Sequence, residues 1–183
     1  MRDSESTGPL DIALLSTGGT IDKTYDPLHG VLRNDISVLE VMLAALELEG
    51  VTLHRIEVMN KDSGDMDAAD HAEIARVAAE QASLRDGVVI VHGTDTLTET
   101  GQAVLEVVGH SPGAPSVLTG AMHPWILRTS DAQQNLTESL LAVQLLDAGV
   151  FVCMHNRVLR FPGIQKDRKG LRFVYSTVHS EEL

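Results

Sequence analysis

A three-layer α/β fold, with a mostly parallel sheet covered by helices on both faces, follows from three observations on this sequence. The apolar run Val88–Val91, set between Gly87 and His92, lacks polar alternation, as expected of a strand buried on both faces. Strand-like runs recur at Leu10–Leu15, Val51–Met59, Ser116–Thr119 and Gly149–Met154. Between them lie stretches with helical spacing, and such alternation predicts parallel strands joined by right-handed crossovers. With 183 residues and no internal repeat or linker, the chain reads as a single domain over residues 9–183 behind a flexible tail, residues 1–8.

The elements follow in order. After the first strand comes STGGTI, then Asp22–Arg33, which holds Pro27 and Gly30 without clear period and reads as a mobile hairpin or lid. Asn34 or Asp35 is placed to cap a helix carrying Leu39, Met42, Leu43 and Leu46 on one face, with Gly50 as its stop. The second strand ends in the polar turn NKDSGDMD, where Asp67 is placed to cap a helix to about Leu84 with Ile74, Ala75, Ala78 and Ala82 inward. The third strand leads through GTDT into a helix with a predicted capping box, Thr96 and Glu99, and an apolar stripe of Leu97, Gly101, Val104, Leu105 and Val108. HSPGAP breaks that helix; the fourth strand runs into GAMHPW. Ser130 or Asp131 starts the next helix, with Leu136, Leu140 and Val143 inward. After the fifth strand, a loop around PGIQKDRKG precedes a last strand at Leu171–Tyr175.

Composition narrows the function classes. The formal net charge is −12, without a long Lys/Arg run, which disfavours nucleic-acid binding. No apolar stretch approaches the ~18 residues of a membrane span, and MRDSESTGP has no signal-peptide core, so no membrane association and a cytoplasmic location are expected. The single cysteine, Cys153, lies in VFVCM and reads as a buried thiol. G-x-x-x-x-G-K-[ST], G-x-G-x-x-G and H-E-x-x-H are all missing, so neither a nucleotide cofactor nor a bound metal is expected. Gly109-His110-Ser111-Pro112-Gly113 matches a nucleophile elbow, but it follows a helix and precedes a strand, which is the wrong context.

Chemistry concentrates in three turns. Ser16-Thr17-Gly18-Gly19-Thr20, Asp62-Ser63-Gly64-Asp65 and His92-Gly93-Thr94-Asp95-Thr96 each follow one of the first three strands. In a parallel sheet all three lie on one edge, bringing hydroxyls, backbone N–H donors and a carboxylate together. Each turn taken alone is also explained by cap and turn preferences; Asp65 suits its own turn, and Lys166 suits a solvated charge run.

Taken together, TGGTI, DSGDM and HGTDT, in this order and on matching strands, resemble the L-asparaginase family, specifically its N-terminal catalytic domain. GAMHP and the segment from Gly149 to Lys166 extend the resemblance over nearly the whole chain. It implies a flavodoxin- or Rossmann-like sheet and an amidohydrolase that converts L-asparagine to L-aspartate and ammonia through an acyl-threonine, with no cofactor. By resemblance, Thr17 corresponds to the acylated nucleophile and Tyr25 to the tyrosine that assists proton removal. Thr94, Asp95 and Lys166 correspond to the second threonine, its neighbouring aspartate and the family lysine. Ser63 corresponds to the residue holding the substrate α-carboxylate. Gly18, Gly64 and Ala121 complete the substrate-contacting set, Ala121 through its backbone toward the side-chain amide. Typical members carry a second α/β domain that reaches a neighbour's site. This sequence stops at Leu183, like short single-domain members, and a homo-oligomer is expected. Gly64 also stands where the family often has a polar side chain. A glutaminase or other small-amide amidase, an amidase that acts on a charged tRNA as part of a larger enzyme, and a non-catalytic amino-acid-binding module remain the alternatives.

Overall fold

The order of the strands sets the position of every loop that matters below. The computed structural model describes residues 8–33, 37–109 and 113–176. β1 (Leu10–Gly18) is followed by the hairpin β2 (Thr24–Asp26) and β3 (Val31–Arg33), then α1 (Leu39–Ala44) and β4 (Val51–Lys61). α2 (Ala68–Leu84), β5 (Gly87–Val91), α3 (Leu97–Val108), β6 (Ser116–Thr119), α4 (Ala132–Leu145) and β7 (Val150–Met154) continue the alternation. Three short strands follow: β8 (Arg157–Arg160), β9 (Ile164–Asp167) and β10 (Arg172–Tyr175).

The main sheet has the order β4-β1-β5-β6-β7-β8, with every pair parallel except β7–β8. The chain winds from β1 outward to β4, then crosses back to β5 and proceeds the other way. The connections on either side of β1 and β5 therefore diverge, and α/β sheets open a crevice at such a point, at the carboxyl ends of the strands. Helices cover both faces. On one, Ile74 and Ala78 of α2 and Val104 of α3 pack over Ala13, Leu15, Ile90 and Leu118. On the other, Met42 of α1 and Leu136 and Leu140 of α4 pack over Ile12, Leu14, Val89 and Val117. Successive residues of β1 and β5 thus serve opposite faces, which is why their apolar runs are unbroken.

Three expectations need correction. The helix expected to run to Gly50 ends at Ala44, because Ala45 and Leu46 donate to carbonyls three residues back. Leu46 and Leu48 both pack on the core below α4, a two-residue spacing that a continuing helix cannot supply. Asn34, Asp35 and the Ser111 loop lie outside the described residues, as do residues 1–7. The capping box of Thr96 and Glu99 does not form: Thr96 Oγ1 donates instead to Ser63 O, 2.9 Å away. A capping box does form at α2, between Asp67 and Asp70. Lastly, PGIQKDRKG is not a loop. Ile164–Asp167 pairs antiparallel with β10, with Lys166 opposite Phe173, so Lys166 projects from a strand. β8, folded back on β7 through His155 and Asn156, both at positive φ, was also unforeseen. The hairpin expected at Asp22–Arg33 is present, with Tyr25 opposite Leu32.

Candidate active site

Glycine makes the three turns converge. Gly19 has φ +85°, and a Cβ there would come within 2.4 Å of Gly93 Cα. A Cβ on Gly93 would in turn meet Ser63 Oγ at 2.4 Å. The turns after β1 and β5 are therefore stacked at backbone contact and the Ser63 side chain, from the turn after β4, lies against Gly93, all closer than any side chain at those two positions permits. Gly19 N–H donates to Lys61 O at 2.9 Å, tying the first turn to the end of β4.

Thr17 lies near the end of β1 and is fully buried; its Oγ1 donates to Val91 O across the crevice at 3.0 Å. Thr94, just beyond β5, is buried as well. Lys166 Nζ donates to Thr94 Oγ1 at 2.7 Å and to Asp95 Oδ1 at 2.9 Å. Ser63, in the 3₁₀ turn Ser63–Asp65, accepts Asp95 N–H on Oγ at 3.2 Å. Ser63, Thr94, Asp95 and Lys166 thus form one bonded cluster contributed by three separate elements. Thr17 stands against β5 beside it, since Val91 is three residues before Thr94. Backbone donors at these turns, those of Gly19, Gly64, Asp65 and Asp95, are already engaged, which narrows the N–H groups open to a ligand oxygen.

Tyr25 takes no part in that cluster. It sits on the β2–β3 hairpin with 59% of its surface exposed, and among the described residues no hydrogen bond links it to Thr17. Ala121 is fully buried in the turn after β6. Gly18, at φ +92°, pairs with Lys61; Gly64 is exposed and donates to Asp62 Oδ1 at 3.2 Å.

Sequence reasoning missed several groups that hold these residues. Lys23 forms an ion pair with Asp62, whose carboxyl is held below its usual range first by that lysine. Arg168, in the turn just after β9, donates to Asp95 Oδ1 at 3.3 Å, a contact that no local sequence signal marks. Asn135, fully buried, donates from Nδ2 to Gly120 O at 2.9 Å and to Asp131 Oδ2 at 2.8 Å, and accepts His155 N–H at 3.0 Å. Asp131 accepts from Met122 N, His123 N and the His155 ring. Burial pushes the Asp131 carboxyl up, but these bonds outweigh it and hold it below the ordinary value. The turn carrying Ala121 is thus pinned from α4 and from the β7–β8 turn.

His92 braces the Thr94 turn. Its Nδ1 lies 2.7 Å from Gly93 O and its Nε2 2.8 Å from Thr100 Oγ1, which lies 2.7 Å from His71 Nδ1. A carbonyl only accepts, so the neutral ring carries its hydrogen on Nδ1, and Nε2 accepts from Thr100. Burial lowers the His92 pKa from 6.5 to about 4. The folded state therefore binds fewer protons than the unfolded chain between those values, and stability falls as pH drops from about 6.5 to about 4, by up to about 3 kcal/mol. Urea midpoints at about pH 7 and pH 4.5 should show this loss, and His92→Asn should flatten the slope even if it lowers stability at both. An unchanged slope in the variant assigns the acid sensitivity elsewhere. Burial also raises the Cys153 thiol to about 11, in keeping with an unreactive cysteine.

Among the described residues no helix is long and apolar enough to cross a membrane, and no group of three or more His, Cys, Asp or Glu is arranged to hold a metal ion.

Comparison with known proteins gives a consistent result. The family model described as "Asparaginase, N-terminal" matches residues 11–171. An L-asparaginase of Thermococcus kodakarensis is 33% identical over 153 residues, covering 82% of this chain and 45% of that protein. The D component of the glutamyl-tRNA(Gln) amidotransferase of Methanobrevibacter smithii is 33% identical over 147 residues, covering 79% of this chain and 33% of that one. The solved structure of the thermostable L-asparaginase from Thermococcus kodakarensis superposes with a TM-score of 0.81 at 28% identity, over 91% of this chain and 51% of that one. A probable cytoplasmic L-asparaginase from Campylobacter jejuni gives 0.70 at 27%, over 86% and 48%. The chain spans about half or less of the length of these relatives.

Proposed function

This chain belongs to the asparaginase family, as a match to its N-terminal domain, and we propose that it is an amidohydrolase releasing ammonia from L-asparagine. The observation that carries the reading is the Lys166–Thr94–Asp95 cluster at the sheet's crevice, with the Thr17 hydroxyl buried against β5.

Thr17 Oγ is the nucleophile in this proposal. Its hydrogen rests on Val91 O and must pass to a base as the C–O bond to the substrate's side-chain carbonyl forms. Tyr25 is the proposed relay once the hairpin brings it to Thr17, its hydroxyl taking that proton as it passes its own to the amide nitrogen. The amide nitrogen leaves as ammonia after protonation, giving an acyl-threonine. Water then attacks the ester, with Thr94 and Lys166 as the proposed proton path and Asp95 holding the lysine in place. Ser63 takes the substrate α-carboxylate, Gly18 and Gly64 let the backbone approach it, and the Ala121 turn faces the amide. A homo-oligomer is the assembly proposed.

The amidotransferase relatives raise a second reading, an amidase component serving a charged tRNA. The net charge of −12 opposes a tRNA partner. Ammonia release by the purified protein from L-asparagine, L-glutamine and a peptide amide decides between the readings. Turnover of asparagine above glutamine is expected; folded protein silent on all of them, at millimolar concentration, leaves a binding module instead.

A further inference from the structure

β4, at the outer edge of the main sheet, is unlike the strands inside it. Its 11 residues are half-buried or exposed throughout, whereas β5 is buried along its whole length. Among the described residues β1 is its strand partner on one side, and its other edge is unpaired. Leu10 N–H donates to Gly50 O at 3.0 Å, with Leu10 opposite Val51. In a parallel ladder the groups bonded to β1 then fall on even-numbered residues of β4, and the backbone groups of odd-numbered residues point outward. Val51 N–H is taken by Leu48 O, which leaves Leu53, Arg55 and Glu57 before the register shift that follows Glu57.

An open edge of this length is a template for another strand, and the side chains select which. Leu53 packs on the face that α1 and α4 cover, so Arg55 and Glu57, at two-residue steps from it, share that face. Both are exposed; Arg55 Nη1 donates to Glu40 Oε1 at 2.7 Å, and Glu57 has no ion-pair partner among the described residues. His54 is turned to the opposite face, where its Nε2 meets Arg85 Nη1 at 3.1 Å and Asp11 Oδ1 at 3.2 Å. Two copies of β4 related by a two-fold axis run antiparallel, and their outward groups meet only when odd residues face odd residues. An axis at Arg55 sets arginine against arginine, and one at Glu57 sets glutamate against glutamate. Axes at Leu53 or His54 set Arg55 against an apolar side chain. An axis at Ile56 sets each Arg55 opposite the partner's Glu57, twice over, and opposite charges across an antiparallel pair attract where like charges repel. With a formal charge of −12 on each copy, a register without this match would be opposed by repulsion.

Resting on the homo-oligomer proposed above, we infer that two copies of this chain join at β4, antiparallel about an axis at Ile56, into one continuous sheet. Both Arg55–Glu57 pairs exchange their backbone hydrogen bonds, and each Arg55 lies between its own Glu40 and the partner's Glu57.

Mass in solution, by sedimentation or light scattering, tests this independently of ammonia release. The parent protein should be a dimer. Arg55→Glu sets glutamates against glutamates and Glu57→Arg sets arginines against arginines, so each alone should raise the dimer Kd about tenfold or more. Mixed in equal amounts, each variant complements the other at both pairs, and a heterodimer should form. Ile56→Cys should link two copies under oxidation, because facing residues at a non-hydrogen-bonded position have Cα atoms about 4.5 Å apart, within disulfide reach. Cys153 is buried and does not compete. A monomeric parent overturns the inference together with the homo-oligomer. A dimer indifferent to both charge variants, or one that Ile56→Cys does not link, overturns the inference and leaves the homo-oligomer to another face. A mixture as monomeric as its two components overturns the Arg55–Glu57 register and the inference with it.

Discussion

Thr17→Ala is expected to lower kcat for L-asparagine by on the order of a thousandfold or more while the protein stays folded. The variant removes the hydroxyl that the proposed acyl intermediate is built on, whereas the side chain's described bond is one hydrogen bond to Val91 O. Losing that bond costs about 1 kcal/mol, small for a domain with two packed helical faces. Thr94→Val should reach a similar loss by another route. It keeps the buried shape of Thr94 and removes the oxygen that Lys166 meets at 2.7 Å, leaving the lysine to Asp95 alone. The two losses should not add, since residues acting in one chemical unit fail together. Steady-state ammonia release from both single variants and the double variant tests this. Activity above about a tenth of the parent in Thr17→Ala removes Thr17 as nucleophile.

Asn135→Ala should be the most costly single change to the fold around the site, lowering stability by about 4 kcal/mol and Tm by about 10 °C. One buried amide ties Gly120 O, Asp131 Oδ2 and His155 N–H, which belong to three separate elements. Truncation leaves a buried carbonyl and a backbone N–H without this partner, and unmade bonds of this kind cost more than made ones contribute. Because Gly120 precedes Ala121, kcat/KM should fall even where the protein remains folded. Thermal and urea unfolding measured beside kinetics checks both parts. A Tm within about 2 °C of the parent shows that the Ala121 turn does not depend on this amide.

Much of this architecture is determined locally. Unbroken apolar runs such as Val88–Val91 can be satisfied only by burial on both faces, and the spacing of Ile74, Ala75, Ala78 and Ala82 on α2 has one helical solution. The turns carrying Thr17, Ser63 and Thr94 are legible for the same reason: strand, glycine-rich turn and helix succeed one another within a few residues. Local signals mislead where a distant group competes for the same atoms. Thr96 matches a cap, but its hydroxyl is taken by Ser63 O from 33 residues away in the chain. Leu46 fits a helical stripe, but Leu46 and Leu48 together fit the core better in an unwound chain.

The sequence by itself determined the α/β alternation, the faces that α2, α3 and α4 bury, and the three turns in which hydroxyl and carboxyl residues gather. Only the tertiary structure decided which of these meet. β9 lies against β10 and carries Lys166 to Thr94, 72 residues distant in sequence. Lys23 reaches Asp62, Arg168 reaches Asp95, and Asn135 locks the Ala121 turn. Those pairings have no sequence period. They arise from the order of strands in the sheet and from glycines at 19 and 93 that let separate turns touch, which is long-range geometry that local preference does not encode.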